Sequence, residues 1–371
     1  MKHRLFKLFM LVLVAWLAAA SSGIACTLFV INDDSTVFFG RTLDWEHPLP
    51  GAVFVNPRGL VKTSLPWHGA WPVAGEGTTK LWASVYGSVT FSAYGRDFVA
   101  SGMNEAGLVI AEASWMADYA PADNRPAVSC AQWMQYQLDN FATVKDVVSH
   151  VDDLRLDGEG WHFMVADASG AFAVVESSSE GTEVLQSSVS KYPVLTNAGV
   201  WQLLEFQAMI DPSSGSYSAN MAAGEDSYAR YLRGIWYLRE RRKDTAPVTS
   251  EDAWQMMDSV RVSDTRREIV FDATNRTVTW VTDSNRIRRT LYLADLSFEA
   301  KSPVLIVDVD APNANAGDVA WALQPYSLAV NRQLVQSAMR AIHGDDVRIE
   351  PTDPSGFTLE QVVELIATHP R

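Results

Sequence analysis

Cysteine is nearly absent from this chain, which holds two in 371 residues, Cys26 and Cys130. That supply rules out a disulfide framework and a Cys-x-x-Cys metal or redox motif. The sequence also lacks His-Glu-x-x-His, Gly-x-Ser-x-Gly and a glycine-rich phosphate loop, and its seven histidines are scattered. His47 reads as a surface residue, and no metal or other cofactor is expected. Positive charge is short as well: 30 Lys+Arg stand against 44 Asp+Glu, for a formal charge of −14. Such an acidic surface disfavours nucleic acid and anionic membranes as partners. The apolar run Leu8 to Ala20 is shorter than the roughly 20 residues a helix needs to cross a bilayer, and no later segment is long and apolar enough. No stable membrane association is expected. Internal repeats, low-complexity tracts and Pro/Gly/Ser-rich linkers are missing too, so residues 26–371 read as a single domain.

What is present begins with an export signal. Lys2, Arg4 and Lys7 precede the apolar run, and small residues follow it, with Gly23 and Ala25 at the positions that favour cleavage before Cys26. Residues 1–25 are expected to be removed, leaving a periplasmic or secreted protein with a cysteine as its first residue. The loss of three cations takes the formal charge from −14 to −17.

Three readings of Cys26 compete. A disulfide to Cys130 would suit an oxidising compartment and an exported binding protein. Lipid attachment would make the chain a non-catalytic lipoprotein, although Gly23-Ile24-Ala25-Cys26 lacks the usual Leu three residues before the modified cysteine. Nucleophilic catalysis is the third. Cys26 runs directly into Thr27-Leu28-Phe29-Val30-Ile31, a strand by its β-branched and aromatic content, and a first residue that opens a core strand is held more rigidly than a tether would be.

Along the chain, Thr27 to Ile31 and Thr36 to Trp45 form a predicted hairpin around Asn32-Asp33-Asp34-Ser35. Strands are predicted at Val53 to Asn56, Leu81 to Phe91, Phe98 to Met103 and Leu108 to Trp115, with Gly107 suited to a positive φ in the turn between the last two. Helices follow at Gln132 to Phe141 and Val144 to Val151, and a hairpin at His162 to Glu176. Further helices are read at Ala198 to Met209, Ser227 to Arg241 and Glu251 to Val260, with a Ser/Gly-rich loop at Ser213 to Ser218. Strands return at Ile269 to Phe271, Val278 to Val281 and Arg289 to Leu293. Beyond Ser302 only a helix at Leu359 to Ala367 stands out. Consecutive hairpins with helices between them argue for an α+β layered sandwich.

A thiol near pKa 8.5 is only slightly ionised at neutral pH, so a nucleophilic Cys26 needs a base. As a first residue it carries one, its own α-amine near pKa 8, and no histidine is then required. Arg41 and Asp44 interrupt the apolar stretch Val37 to Trp45 on the strand beside Cys26. They are either an ordinary ion pair or a charge pair that tunes the thiol and holds the α-ammonium.

Cys26-Thr27 opening a strand, then Gly40-Arg41-Thr42-Leu43-Asp44-Trp45, Gly102-Met103-Asn104-Glu105-Ala106-Gly107-Leu108, Leu195-Thr196-Asn197 and Ser227-Tyr228-Ala229-Arg230-Tyr231-Leu232-Arg233 occur in an order that resembles the choloylglycine hydrolases. That family includes conjugated bile salt hydrolases and penicillin V acylases. The resemblance covers about Cys26 to Leu293 and implies a four-layer αββα fold of the N-terminal-nucleophile hydrolase type, acting on linear amides. It implies active-site roles for Arg41, Asp44 and Arg230 around Cys26, and an oxyanion donor in the side-chain NH of Asn197. Asn197 also suits a helix N-cap. Where many relatives have Gly-Leu-Asn-Phe, this chain has Glu112-Ala113-Ser114-Trp115, so Ser114 stands at the place of a polar contact. Asn104 and Glu105 read as turn residues. The family suggests a homotetramer.

The export signal, with Trp45 after Asp44 and Trp115 by Ser114, makes the chain resemble the penicillin V acylases of Gram-negative bacteria more than the bile salt hydrolases. Two indoles near the nucleophile favour a flat aromatic or long alkyl acyl group. The small-molecule substrates expected are phenoxymethylpenicillin and N-acyl homoserine lactones. Both tryptophans equally suit a core.

Overall fold

The protein is described by a computed structural model over residues 25–65, 67–68, 71–72, 79–115, 123–157, 160–187, 192–209, 219–310, 317–343 and 359–369. The leader expected at residues 1–25 lies outside them but for Ala25, as does the Ser213 to Ser218 loop.

Two stacked sheets form the centre. Seven strands make the first: β1 (Ala25–Asn32), β2 (Val37–Asp44), β10 (Val194–Leu195), β11 (Thr265–Asp272), β12 (Thr277–Thr282), β13 (Arg289–Tyr292) and β15 (Gly317–Asp318), in the order β10-β1-β2-β11-β12-β13-β15. Nine strands make the second: β3 (Ala52–Asn56), β4 (Ser88–Ser92), β5 (Ser101–Asn104), β6 (Val109–Ser114), β7 (Trp161–Ala166), β8 (Phe172–Ser178), β9 (Gly181–Gln186), β14 (Leu305–Asp308) and β16 (Gln324–Pro325), in the order β9-β8-β7-β6-β5-β4-β3-β14-β16. Every pairing in the second sheet is antiparallel, as a chain of hairpins requires.

Helices cover both outer faces. α1 (Cys130–Asn140) and α2 (Val144–Ser149) pack with the second sheet. α3 (Val200–Met209), α4 (Ala219–Ala222), α5 (Ser227–Arg241) and α6 (Ser250–Val260) lie with the first, where α5 and α6 touch β1 and β2 or β11. Local sequence sets their starts. Ser129 caps α1 by accepting from Gln132 N, and Asp226 caps α5 by accepting from Ala229 N at 3.0 Å. Thr249 and Asp252 close a capping box on α6. The result is an α+β sandwich of four layers, αββα.

Two hydrophobic clusters fill it. One holds Leu28, Val30, Phe39, Val53, Phe91, Met103, Phe271 and Trp280 and reaches α5 and α6. The other lies under α1, with Trp133, Leu138, Phe163 and Val165. Because β1 and β2 have cover on both faces, they read as continuous runs of buried residues, not alternating ones. Gly40 is required there: it faces Phe29 across the ladder, and an added Cβ would lie 2.0 Å from the Phe29 ring.

The predicted hairpin at the start is present, with Cys26 opposite Leu43 and Leu28 opposite Arg41. Gly107 takes φ +91°. Asn104 and Glu105 hold structure: Asn104 donates to the carbonyls of Leu138 and Phe141, and Glu105 accepts from Arg58 and Gly87 N. The run Leu81 to Phe91 is not one strand. It breaks at Tyr86-Gly87, where a Cβ on the glycine would overlap Phe298, and Leu81–Ala83 pairs in a separate small sheet. The segment after Ser297 supplies β14 and β16 to the second sheet, then α7 (Leu328–His343) and α8 (Leu359–Thr368). These two helices pair through Arg332 and Glu364 and bury Val335, Met339, Val362 and Ile366 in the second cluster.

Candidate active site

Cys26 is the second residue of β1 and is fully buried. Thr27 meets Arg230 on the helix side of the sheet, its Oγ1 accepting from Nη1 at 2.8 Å, so strand alternation turns the Cys26 sulfur the other way, into the space between the sheets. Arg41, in register with Leu28, shares that face. Its Nη2 stands 3.9 Å from Cys26 Sγ and forms an ion pair with Glu112, which arrives from β6 of the opposing sheet. Arg41 and Glu112 are 1% and 4% exposed, which makes this a buried charge pair.

The backbone of Cys26 faces other groups. Its nitrogen donates to Asn197 Oδ1 at 2.7 Å, and its carbonyl accepts from Arg230 Nη1. Arg230 Nη2 reaches the same Asn197 oxygen at 2.9 Å. Asp44 lies 3.6 Å from Arg230 and accepts from Thr265 Oγ1 at 2.6 Å and from Thr42 Oγ1 at 3.3 Å. Cys26, Arg41, Asp44, Asn197 and Arg230 therefore converge from β1, β2, the loop after β10, and α5, and the β2–β11 pairing delivers Thr265.

Electrostatics follow from the burial. The Cys26 thiol is pushed up to about 12, first by burial and next by the Glu112 carboxylate, against the pull of Arg41. Asp44 is pushed up to about 6 by burial, opposed by Arg230 and the two threonine hydroxyls. Arg230 is lowered by burial, Asp44 opposing. A thiol so placed holds its proton at neutral pH until a base takes it.

Asn197 has contacts other than those the sequence suggested. Its amide nitrogen donates to Ser114 O at 2.9 Å and to Ser114 Oγ at 3.0 Å, while its oxygen faces the Cys26 nitrogen. Both amide hydrogens are thus taken up by Ser114. Nor does Asn197 cap α3, whose first amide, Val200 N, donates to Glu176. Trp115 is half-buried and stacks on His162, ring centroids 5.8 Å apart and planes within 9°. Trp45 packs against the first cluster, its indole nitrogen sealed from solvent without an acceptor. Glu112 was not singled out as a site residue from the sequence, although a lone carboxylate inside the apolar strand Val109–Ser114 was the available sign. Thr42 and Thr265 carried no such sign. Cys26 and Cys130 lie in different clusters and are not joined by a disulfide.

Among the described residues no group of histidine, cysteine, aspartate or glutamate could hold a metal ion, and no helix is long and apolar enough to cross a membrane.

The layering is that of the N-terminal-nucleophile hydrolase fold. It is shared with penicillin V acylase from Agrobacterium tumefaciens at a TM-score of 0.71 and 24% identity, over 81% of this chain and 98% of that one. A variant of conjugated bile acid hydrolase from Clostridium perfringens matches at a TM-score of 0.63 and 15% identity, over 79% of this chain and 98% of that one. In sequence, a family model for linear amide C–N hydrolases, choloylglycine hydrolase family, matches residues 26–210. Penicillin V acylase of Pectobacterium atrosepticum is 31% identical over an alignment of 253 residues that covers 61% of this chain and 63% of that protein. The chain belongs to the choloylglycine hydrolase family.

Proposed function

We propose that this protein hydrolyses linear amides with Cys26 as the nucleophile, exposed by removal of residues 1–25 on export to the periplasm or beyond. The observation that carries the reading is the hold on the Cys26 nitrogen, 2.7 Å from Asn197 Oδ1 inside a ring of Arg41, Asp44 and Arg230. In the processed chain that nitrogen is an α-amine. It takes the thiol proton, directly or through one water, and later returns it to the leaving amine. Arg41 then faces a thiolate, and Asp44 with Arg230 fixes the polarity around the amine. Ser114 holds both amide hydrogens of Asn197, so an oxyanion role for Asn197 requires substrate to displace that contact.

The substrates proposed are phenoxymethylpenicillin and long-chain N-acyl homoserine lactones, cleaved at the amide, with bile salt conjugates poor substrates. The likeness to the Pectobacterium penicillin V acylase and the two indoles beside Asp44 and Ser114 support this choice. Amino-terminal sequencing and intact mass of the protein recovered after expression test the mechanism. A free Cys26 amine is expected, and a diacylglyceryl adduct or an uncut leader on active protein would overturn it.

A further inference from the structure

We propose that His162 is a positioning residue for the Cys26 site, one that clamps the Thr196–Val200 loop to the second sheet and so sets where Asn197 stands. The proposal rests on the reading of Cys26 as nucleophile. His162 is fully buried on β7, between Ala113 of β6 and Glu176 of β8 in the ladder. Its Nε2 lies 2.7 Å from the carbonyl oxygen of Thr196, and its Nδ1 lies 2.9 Å from Glu176 Oε1.

A backbone carbonyl only accepts. Nε2 must therefore carry a hydrogen and donate it to Thr196 O, while Glu176 holds the other side of the ring. Glu176 accepts in turn from Val200 N, at 3.0 Å and 3.1 Å from its two oxygens.

The clamp has a second jaw. Ser227, in the first turn of α5, meets Thr196 Oγ1 at 2.7 Å and accepts from Ala198 N at 2.9 Å. Asn197 is the residue between these two anchors, and it alone in the loop reaches the Cys26 nitrogen among the contacts described. The ring of His162 also backs Trp115, the neighbour of Ser114, which receives the Asn197 amide. One side chain thus braces both elements that orient Asn197, and slack there moves a group that touches the reacting residue.

The test has a substrate-free arm and a kinetic arm. In protein labelled with 15N-histidine, the His162 ring, assigned by its absence from the His162→Phe spectrum, is expected to carry a hydrogen on Nε2. His162→Phe keeps the aromatic backing but donates nothing, and is expected to shift the Asn197 side-chain amide resonance and lower kcat about ten- to a hundredfold with KM changed less than about threefold. His162→Gln, which can still donate to Thr196 O, is expected to recover part of that loss. A ring without a hydrogen on Nε2, or a folded His162→Phe protein with unaltered kcat and an unmoved Asn197 resonance, overturns the proposal. If His162→Phe does not fold, His162→Gln supplies the assignment and the isosteric Glu176→Gln carries the kinetic arm, where unchanged kcat is the overturning result. A protein inactive on every amide tried would count against the proposed function, while the ring and Asn197 resonances would still decide this point.

Discussion

Arg41 stands between the sulfur of Cys26 and the carboxylate of Glu112, 3.9 Å from the first and in direct ion pair with the second. The guanidinium that would stabilise a thiolate is thus shared with an anion that opposes one. Glu112→Gln removes the opposing charge and is expected to raise the rate of Cys26 alkylation by iodoacetamide at pH 8, whereas Arg41→Ala lowers it. Breaking this sealed pair is also expected to cost about 3–5 kcal/mol of stability in either variant, read by denaturant unfolding. Equal alkylation rates in wild type and Glu112→Gln would remove Glu112 from any account of the thiol.

Cys26→Ser and Cys26→Ala are expected to fold, since either residue fits where a small buried group stood, and to lose turnover by about 10³-fold or more. Cys130→Ser, on α1 in the other cluster, keeps most activity. Steady-state rates alongside circular dichroism check this. Loss of activity in folded Cys130→Ser protein would contradict the assignment.

Asp44 predicts opposite trends in activity and stability on acidification. With its carboxyl near 6, protonation removes the anion facing Arg230, and kcat/KM is expected to fall as pH drops through about 6. For folding the sign reverses, because the native state holds this proton more tightly than an unfolded chain whose carboxyl sits at 3.8. The Asp44 contribution to stability is present below 3.8 and is lost as pH rises through about 6. The wild-type minus Asp44→Asn difference in unfolding free energy, measured from pH 4 to 8, should therefore decline with pH.

Arg230 uses its fork to reach Cys26 O, Thr27 Oγ1 and Asn197 Oδ1 together. A lysine supplies the charge from one point only. Arg230→Lys is expected to lower kcat by about a hundredfold through misplacement of the Cys26 backbone and Asn197. Wild-type kcat in this variant would show that charge alone suffices.

Substrate choice is open to direct comparison. Values of kcat/KM for phenoxymethylpenicillin, a long-chain N-acyl homoserine lactone and a glycine-conjugated bile salt should fall in an order that puts the bile salt last. Trp115→Ala is expected to weaken the first two by about 1–3 kcal/mol in transition-state terms. Bile salt turning over fastest would overturn the substrate assignment and leave the nucleophile untouched.

The hairpin at the start of the described chain was legible because a polar turn and flanking runs of β-branched and aromatic residues agree over β1 and β2. Helix α5 was legible from Ser227 to Arg241, and its capping aspartate lies one residue before. The Arg41–Glu112 contact was not, since it joins two sheets whose stacking no local pattern encodes. The contacts of Asn197, whose oxygen faces the Cys26 nitrogen, were not legible, because which side of an amide faces which neighbour depends on Ser114, 83 residues away. The strands after Ser297 were hidden by their brevity: β16 is two residues long and contains a proline, which only an edge position tolerates.

β2 runs between β1, its near neighbour in sequence, and β11, whose Thr265 binds Asp44 from 221 positions further on. A ribosome that has made the first hairpin has therefore made none of α5 or β11, and the pocket for the thiol does not yet exist. Closing so distant a contact is slow compared with forming the hairpin. The residue at the beginning of the fold is among the last to acquire its surroundings, so a chain truncated before β11 would carry Cys26 without the Thr265–Asp44 contact.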